Sequence, residues 1–168
     1  MAGINGSGKT KMGPEDAILL TADLAVRSSL SNINLYSNRI GSEGAKVLAP
    51  AIRDSPSLLS INLSSNNLGD AETGYVKASN VQGSSFGVGD KVFYQGREMI
   101  VSKGKDKDGD IKMKPAVPDL SGITAIADAM RVSHSLTAAD LQYNKLNDDS
   151  KQLVRESVKD RVGFDLKL

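Results

Sequence analysis

Residues 58–68 read Leu58-Leu59-Ser60-Ile61-Asn62-Leu63-Ser64-Ser65-Asn66-Asn67-Leu68, and the spacing of their apolar residues occurs twice more in the chain. One copy starts 28 residues earlier and the other starts 78 residues later, so one repeat contains about 50 extra residues. The aligned positions are Leu30, Ile33, Leu35, Asn38 and Ile40; Leu58, Ile61, Leu63, Asn66 and Leu68; and Leu136, Ala139, Leu141, Asn144 and Leu146. Alternating apolar residues predict a strand with one buried face, and the asparagine is expected to bond backbone groups in the following turn.

A helical spacing precedes each of these strands. Apolar residues stand six, ten and thirteen positions before the first leucine of each repeat, which places them on one face of a helix. They are Leu24, Leu20 and Ala17; Ile52, Leu48 and Ala45; and Met130, Ile126 and Ile123. At the same distances before Phe164, Val158 and Val154 follow the pattern and Lys151 breaks it. Small residues also recur at Gly44 and Gly122, and they predict close packing of the helices on the strand layer.

The two patterns divide the chain into predicted elements and domains. Helices are expected at 14–27, 42–53, 120–132 and 148–161, and strands at 31–36, 59–64, 137–142 and over the alternating Phe164, Leu166 and Leu168. Residues 1–13 are expected to be a flexible tail, so that the first helix has no strand of its own. The repeats then occupy 14–70 and 119–168, and an inserted β module occupies 71–118.

The repeat resembles the leucine-rich repeat, whose pattern is L-x-x-L-x-L-x-x-N-x-L. In particular it is similar to the ribonuclease-inhibitor-like class, in which each strand is followed by a full helix. This resemblance implies an α/β fold, a short solenoid of about four strand–helix units, close to the minimum for such an array. It also implies protein–protein binding without enzymatic activity and without a cofactor.

The inserted residues differ in composition from the repeats. Residues 79–89 are rich in Gly, Ser and Asn, and apolar stretches follow at 91–94, 99–101 and 111–113. With turns at Gln95-Gly96 and at 103–109, the pattern predicts a three-stranded β meander with a small core. Residues 88–92 resemble the opening of SH3-like barrels. The candidate partner-binding residues of the insertion are Phe93, Tyr94 and Arg97.

Two short motifs match known sites in surroundings that do not favour them. Residues 3–10 fit the phosphate-binding pattern G-x-x-x-x-G-K-[ST], which needs a strand before it and a helix directly after it. Only two residues precede the motif and Gly13-Pro14 interrupts a helix, so a flexible tail is the favoured interpretation. Residues 106–111 resemble the centre of a calcium-binding loop. However, Gly104 and Pro115 stand where calcium needs acidic ligands, which favours a β-turn.

The titratable residues give neither a catalytic nor a nucleic-acid pattern. His134, the only histidine, aligns with the turn before a repeat, and the sequence ties no nucleophile or carboxylate to it. Five lysines between positions 103 and 114 are interleaved with three aspartates. This mixture is typical of a solvated hairpin and predicts no nucleic-acid partner.

Composition excludes further classes of protein. Hydrophobic residues make up 39% of the 168 residues and charged residues 24%, as in foldable globular chains. No apolar run approaches the roughly 20 residues of a membrane helix, so membrane insertion is not expected. The lack of cysteine excludes disulfides and thiol chemistry, and with no secretory pattern it favours an intracellular, cytoplasmic location. A net charge of +1 predicts no bulk attraction to nucleic acid or anionic lipid.

The resemblance also implies where a partner binds. In this repeat class the strand residues between the core positions point into the concave face. The candidate contact residues are Asn32, Asn34, Tyr36, Ser60, Asn62, Ser64, Asp140, Gln142 and Tyr143. Amides, hydroxyls and tyrosines are typical of adaptable protein contacts, but a short solenoid also solvates its inner face with small polar residues.

Three functions are compatible with these observations. The first is a non-enzymatic interaction module that uses the concave strands and the insertion. The second is a small structural subunit permanently built into a large multiprotein assembly, since a nearly minimal solenoid gains order from neighbours. The third is a regulator of a small GTPase, because some GTPase-activating proteins use this repeat class. Those proteins are longer and place an arginine or asparagine against the nucleotide, and nothing in this sequence marks such a residue.

Overall fold

A computed structural model describes residues 2–5, 11–26, 29–69 and 73–168. The chain forms two compact units, one comprising Met1–Gly69 with Leu120–Leu168 and the other Asp70–Asp119. In chain order the elements are β1 (Ala2–Asn5), α1 (Pro14–Val26), β2 (Leu30–Asn34), α2 (Gly41–Asp54), β3 (Ser60–Asn62), β4 (Val76–Lys77), a 3-10 helix (Ala78–Asn80), β5 (Lys91–Tyr94), β6 (Arg97–Lys103), β7 (Asp110–Pro115), α3 (Ser121–Val132), β8 (Ala138–Asp140), α4 (Asp148–Val158) and β9 (Asp165–Lys167).

The first unit is a parallel sheet in the strand order β1-β2-β3-β8-β9. Ile33 stands opposite Ile61, Ile61 opposite Ala139, and Ala139 opposite Leu166. The aligned positions of the repeat therefore form one row across the sheet. Although about 50 extra residues separate the second and third copies, β3 pairs directly with β8.

The core of this unit consists of the residues that the two periodicities predict. The aligned apolar positions of the strands are buried, except Leu146, which is half-buried. On the helices the buried members are Ala17, Leu20, Ala45, Leu48, Ile52, Ile123, Ile126, Met130, Val154 and Val158. Lys151, which breaks the pattern, is half-buried, and the side chain of Leu24 lies outside the described residues. Apolar burial of one sheet face against one face of each helix holds the layers together.

Buried asparagines connect the turns of successive repeats, as expected from the sequence. Asn66 is 0% exposed, and its Nδ2 donates to the carbonyl of Leu35 at 2.7 Å and to that of Leu63 at 3.0 Å. Asn144 repeats this arrangement, since its Nδ2 donates to the carbonyl of Leu63 at 2.8 Å and to that of Leu141 at 3.0 Å. Each amide thus bonds its own turn and the preceding one, so the asparagines fix the spacing between repeats.

The recurring glycines bring neighbouring helices together. A Cβ atom on Gly122 of α3 would lie 2.6 Å from both Cα and the carbonyl oxygen of Ser42 in α2. A Cβ atom on Gly44 of α2 would lie 2.6 Å from Cγ2 of Ile40 and 3.2 Å from Cα of Pro14 in α1. The prediction that these residues pack on the strand layer is therefore wrong about the partner, which is the preceding helix.

Residues 2–5 correct a second expectation. They form β1 beside β2, with Ile4 opposite Ile33, so the first helix does have a strand of its own and the tail prediction for 1–13 is wrong here. Without β1, the edge of β2 would expose unpaired backbone groups, and β1 supplies their partners. The N–H of Met12 also donates to Oδ1 of Asn38 at 2.9 Å. Residues 6–10 lie outside the described residues.

The second unit is an antiparallel sheet in the order β4-β7-β6-β5. The three predicted strands of the meander are β5, β6 and β7. The prediction is one strand short, because Val76 and Lys77 form β4, which is too short to show an alternating pattern. The core of this unit is small and consists of Ala78, Val81, Val92, Met99, Val101, Ile111 and Met113.

Both predicted turns of the meander are present. Gln95 and Gly96 have φ angles of 50° and 77°, as a tight hairpin requires. In the other turn, Oδ1 of Asp106 accepts the N–H of Asp110 at 2.9 Å and that of Asp108 at 3.0 Å. The hydrogen bonds from Asp110 and then Asp108 favour the carboxylate and lower the pKa of Asp106 below its ordinary value. Within the described residues, no three acidic or histidine side chains are grouped so that they could hold a metal.

Candidate protein-interaction surface

One face of the parallel sheet carries side chains in two rows that cross the strands, and all of them except Ala138 are polar. The first row is Asn32, Ser60, Ala138 and Asp165, and the second row is Asn34, Asn62, Asp140 and Lys167. These eight residues are called the polar sheet face. They line an open cavity of about 490 Å³ together with the strand residues Ile33, Ile61 and Ala139. Side chains on strands are held at the spacing of the sheet, about 4.8 Å between neighbours.

The second row keeps unused hydrogen-bond donors. Oδ1 of Asn34 accepts the N–H of Tyr36 at 3.0 Å, and Oδ1 of Asn62 accepts the N–H of Ser64 at 2.9 Å. Because only the amide oxygen can accept from a backbone N–H, these bonds fix which end of each carboxamide faces its own strand. Among the described residues, neither Nδ2 has a hydrogen-bond acceptor. Two neighbouring carboxamides therefore offer their N–H groups to a partner.

The first row has less spare capacity. Oγ of Ser60 donates to Oδ1 of Asn32 at 2.5 Å, and Nδ2 of Asn32 donates to Oγ of Ser31 at 2.9 Å. The polar groups of Asn32 are thus bonded to their neighbours. The second row is consequently the part of the face with the greater capacity for new hydrogen bonds.

Charge is confined to the β8 and β9 end of the polar sheet face. Oδ1 of Asp140 accepts the N–H of Gln142 at 3.0 Å, which leaves the other carboxylate oxygen available. Asp165 and Lys167 are exposed. Within the part of the chain that the structure describes, none of these three charges takes part in an ion pair. The face therefore carries two carboxylates and one ammonium group for which a partner can supply the counter-charges.

Two charged members of this face, Asp165 and Lys167, were not among the sequence-predicted contacts. Phe164, Leu166 and Leu168 alternate, so Asp165 and Lys167 are expected on the opposite side of the last strand. The alternation therefore indicated that Asp165 and Lys167 belong to this face. The structure adds that β9 pairs with β8 in register.

The predicted residues next to the cavity differ in exposure. Ser64 is buried, and its Oγ–H donates to Oδ1 of Asn62 at 2.6 Å, so it positions Asn62 and offers little surface to a partner. Tyr36 is 49% exposed. Gln142 is half-buried and, with Tyr143, lines a second cavity of about 320 Å³.

Tyr143 has a backbone conformation that suits glycine or asparagine. Its φ angle is 57°, and Ser37 and Ser65, which occupy the same position in the other two repeats, have φ angles of 56° and 58°. The left-handed region destabilises an ordinary residue by about 1–2 kcal/mol. The side chain is 78% exposed, so packing of the ring offsets little of this destabilisation. The fold does not require a tyrosine at this position, which favours a contact role.

We expect Tyr143→Asn to raise the free energy of unfolding by about 0.5–1 kcal/mol, because asparagine tolerates the left-handed region. Urea denaturation of the two proteins measures the difference. Tyr36→Asn is the matched control, since Tyr36 is exposed without a positive φ angle, and we expect no gain in stability from it. A Tyr143→Asn protein less stable than wild type contradicts the argument and assigns the ring to the fold.

The candidate residues of the antiparallel unit surround its tight hairpin. Phe93 is 50% exposed, whereas Tyr94 packs partly against the core of the unit. The guanidinium of Arg97 is exposed and donates to the carbonyl of Val117 at 3.4 Å. Phe93 and Arg97 therefore offer more surface to a partner than Tyr94 does.

Several lysines of this unit contact rings or carboxylates of the unit itself. The ammonium groups of Lys103 and Lys112 lie 5.0 and 4.8 Å from the ring centre of Tyr75. Lys77 pairs with Asp110 at 3.1 Å. The basic cluster thus takes part in the local structure of the hairpin.

The remaining motifs are placed as follows. The first described helix after the phosphate-binding pattern begins at Pro14, and the motif residues 6–10 lie outside the described residues. His134 is exposed between α3 and β8. Among the helices of the described ranges, none combines the length and the apolar character that crossing a bilayer requires.

Comparison with known proteins bears on the repeat. Residues 28–49 and 54–71 match a family model described as Leucine Rich repeat. No curated protein matches the sequence significantly. The matched segments contain β2 and β3 with their asparagines, Asn38 and Asn66. The third repeat, around Asn144, lies outside the match, but its strand pairs in the same register and its asparagine makes equivalent hydrogen bonds. The two matches support a leucine-rich repeat protein, and they do so for the matched segments alone.

Proposed function

We propose that this chain is a non-enzymatic protein–protein interaction module whose partner binds the polar sheet face. In this proposal the strand–helix units form a short solenoid of the ribonuclease-inhibitor-like class, with the polar sheet face on its concave side. Residues 71–118 are an inserted, SH3-like β module that adds a second contact surface around Phe93 and Arg97. Leucine-rich repeats commonly mediate protein–protein interaction, which agrees with this role.

The spare hydrogen-bonding capacity of the polar sheet face carries the proposal. Asn34 and Asn62 keep carboxamide N–H groups, and Asp140 keeps a carboxylate oxygen, on strands that fix their positions. Rigid elements position contact groups more accurately than loops do. An open surface with such groups suits the backbone and side chains of another polypeptide.

Solvation alone is a weaker explanation of this surface. It accounts for small polar side chains such as Ser60 and Asn32. It does not account for two tyrosines beside the face, Tyr36 and Tyr143, which are 49% and 78% exposed. Tyrosine supplies a large, rigid contact area with a hydroxyl group, and it is enriched in binding surfaces.

The size of the protein in gently lysed source cells tests this function. The tagged chain is separated by size exclusion, and co-eluting chains are identified by mass spectrometry. We expect the wild type to elute with a stoichiometric partner, and the combined variant Asn34→Ala, Asn62→Ala and Asp140→Ala to elute at the size of the free tagged chain, 17.8 kDa plus the tag. A wild type that elutes alone, or a variant that keeps the same partner, contradicts the proposal.

A matched variant separates loss of contact from loss of structure. Glu43→Ala, Asp128→Ala and Gln152→Ala change three exposed residues on α2, α3 and α4. We expect this control to keep the partner, because its residues lie away from the polar sheet face. Urea denaturation of both triple variants must give midpoints close to that of the wild type.

One observation favours a second candidate, a structural subunit of a large assembly. The antiparallel unit buries only a small core and exposes Tyr75, Val88 and Val117, which are 52%, 73% and 78% exposed. Neighbouring subunits would cover such residues permanently. A subunit of this kind is poorly soluble or loosely folded when purified alone, whereas a reversible binder unfolds cooperatively in urea.

A further inference from the structure

We propose that the polar sheet face binds an extended peptide segment that carries an arginine or lysine. Its backbone carbonyls accept from Asn34 and Asn62, and its basic side chain pairs with Asp140 and Asp165. The proposal rests on the proposed function and specifies the chemistry of the partner.

The available N–H groups of the second row favour a partner that presents hydrogen-bond acceptors. Backbone N–H groups occupy the amide oxygens of Asn34 and Asn62, at 3.0 and 2.9 Å, so each asparagine offers N–H groups. Carbonyl oxygens of a peptide are acceptors that extended backbone exposes at regular intervals. A ligand that presents only donors leaves both Nδ2 groups without an acceptor, and at Asn62 the amide oxygen already accepts both the N–H and the Oγ–H of Ser64.

The charges at the β8 and β9 end of the polar sheet face select a cation. Asp140 and Asp165 bring two negative charges and Lys167 brings one positive charge, so this corner has a net charge of −1. Because no described residue forms an ion pair with any of the three, a basic side chain gains two carboxylates without breaking an existing pair. The same two carboxylates repel phosphate groups, which disfavours a nucleic acid.

The length of the row fits a short segment. Asn34, Asn62, Asp140 and Lys167 lie on four neighbouring strands, so the row spans three strand spacings. At about 4.8 Å each, that is roughly 14 Å, the length of about four extended residues. A segment of four residues lying across the strands therefore reaches from the carboxamides to the charged corner.

Selection from a random peptide library tests this chemistry. Phage displaying random 12-residue peptides are selected on the whole purified chain, and the recovered peptides are synthesised and their affinities measured. We expect the wild type to enrich Arg or Lys at one position. The double variant Asp140→Asn and Asp165→Asn should weaken binding of those peptides by about tenfold or more, the range for losing a charge pair.

The chosen variants keep the fold and separate the alternatives. The amide oxygen that Asp140→Asn introduces can still accept the N–H of Gln142, so the strand end is preserved. Asn62→Ala removes one donor and should weaken binding by about fivefold. Asp160→Asn, which changes an exposed aspartate after α4, is the control and should change the affinity by less than about twofold.

The possible outcomes distinguish this inference from the proposed function. Peptides that lose affinity with Asn62→Ala but show no basic preference overturn the inference and leave the face as a protein-binding surface. Peptides unaffected by all variants of the face bind elsewhere, and that result contradicts both proposals. Recovery of no binding peptide overturns the inference, while the complex isolated from cells still decides the proposed function.

Discussion

Asn66→Leu is expected to lower the free energy of unfolding by about 3 kcal/mol. Nδ2 of Asn66 donates to the carbonyls of Leu35, Leu63 and Ser64, at 2.7, 3.0 and 3.2 Å, and the site is fully buried. Leucine has a similar volume but no donors, so these carbonyls lose their side-chain partner out of reach of water. Urea denaturation should show a lower midpoint with an unchanged slope, because the surface exposed on unfolding is the same.

Two variants identify the cause of that loss. Asn32→Leu makes the same chemical change on the exposed polar sheet face, where water replaces the lost bonds, and should shift stability by no more than about 0.5 kcal/mol. Asn66→Asp keeps the shape but removes the donors, so it should also destabilise strongly. Equal midpoints for Asn66→Leu and the wild type would show that the amide does not link the repeats.

The repeat could be predicted from the sequence because its physical cause is periodic. Burial of one strand face and one helix face imposes spacings of two and of three to four residues, and these spacings resume after the roughly 50 extra residues between the second and third copies. The row that joins Ile33, Ile61 and Ala139 is the direct result. The buried asparagines could be predicted for the same reason, since each turn needs the same bonds.

Elements without periodicity could not be predicted in this way. Val76 and Lys77 form a two-residue strand, and Ala2–Asn5 pairs along a sheet edge with a register shift. Both depend on pairing with a partner strand, which leaves no repeated pattern in the segment itself. The guanidinium of Arg161 is similar, because it donates to the carbonyls of Met130 and Leu136, residues that only the fold brings near it.

The candidate site also has features that the sequence predicts and features that it does not. The alternation of strand residues predicted Asn34, Asn62 and Asp140 on one face, and it also implied Asp165 and Lys167. It could not predict which atoms remain available, since that depends on the backbone N–H groups at each strand end. Nor could it predict that Ser64 is buried. Orientation of the carboxamides, and with it the preference for acceptor groups in a partner, requires the structure.

Gly122→Ala is expected to lower the free energy of unfolding by about 2–3 kcal/mol. The added Cβ would lie 2.6 Å from Cα and the carbonyl oxygen of Ser42, and backbone atoms inside α2 cannot move aside as a flexible side chain can. Alanine is otherwise the better helix former, by about 1 kcal/mol, so helix propensity alone predicts the opposite sign. Urea denaturation decides between the two effects.

Gly13→Ala is the matched control for this effect, because a Cβ atom at Gly13 meets nothing within 4 Å. It lies in the same unit, just before α1, and should leave the unfolding midpoint close to that of the wild type. If Gly122→Ala instead stabilises the protein, helix propensity dominates and α2 and α3 have room to separate. A loss confined to Gly122→Ala shows that close approach of adjacent helices sets the spacing of the repeats on the helical side, as the asparagines do on the side of the turns.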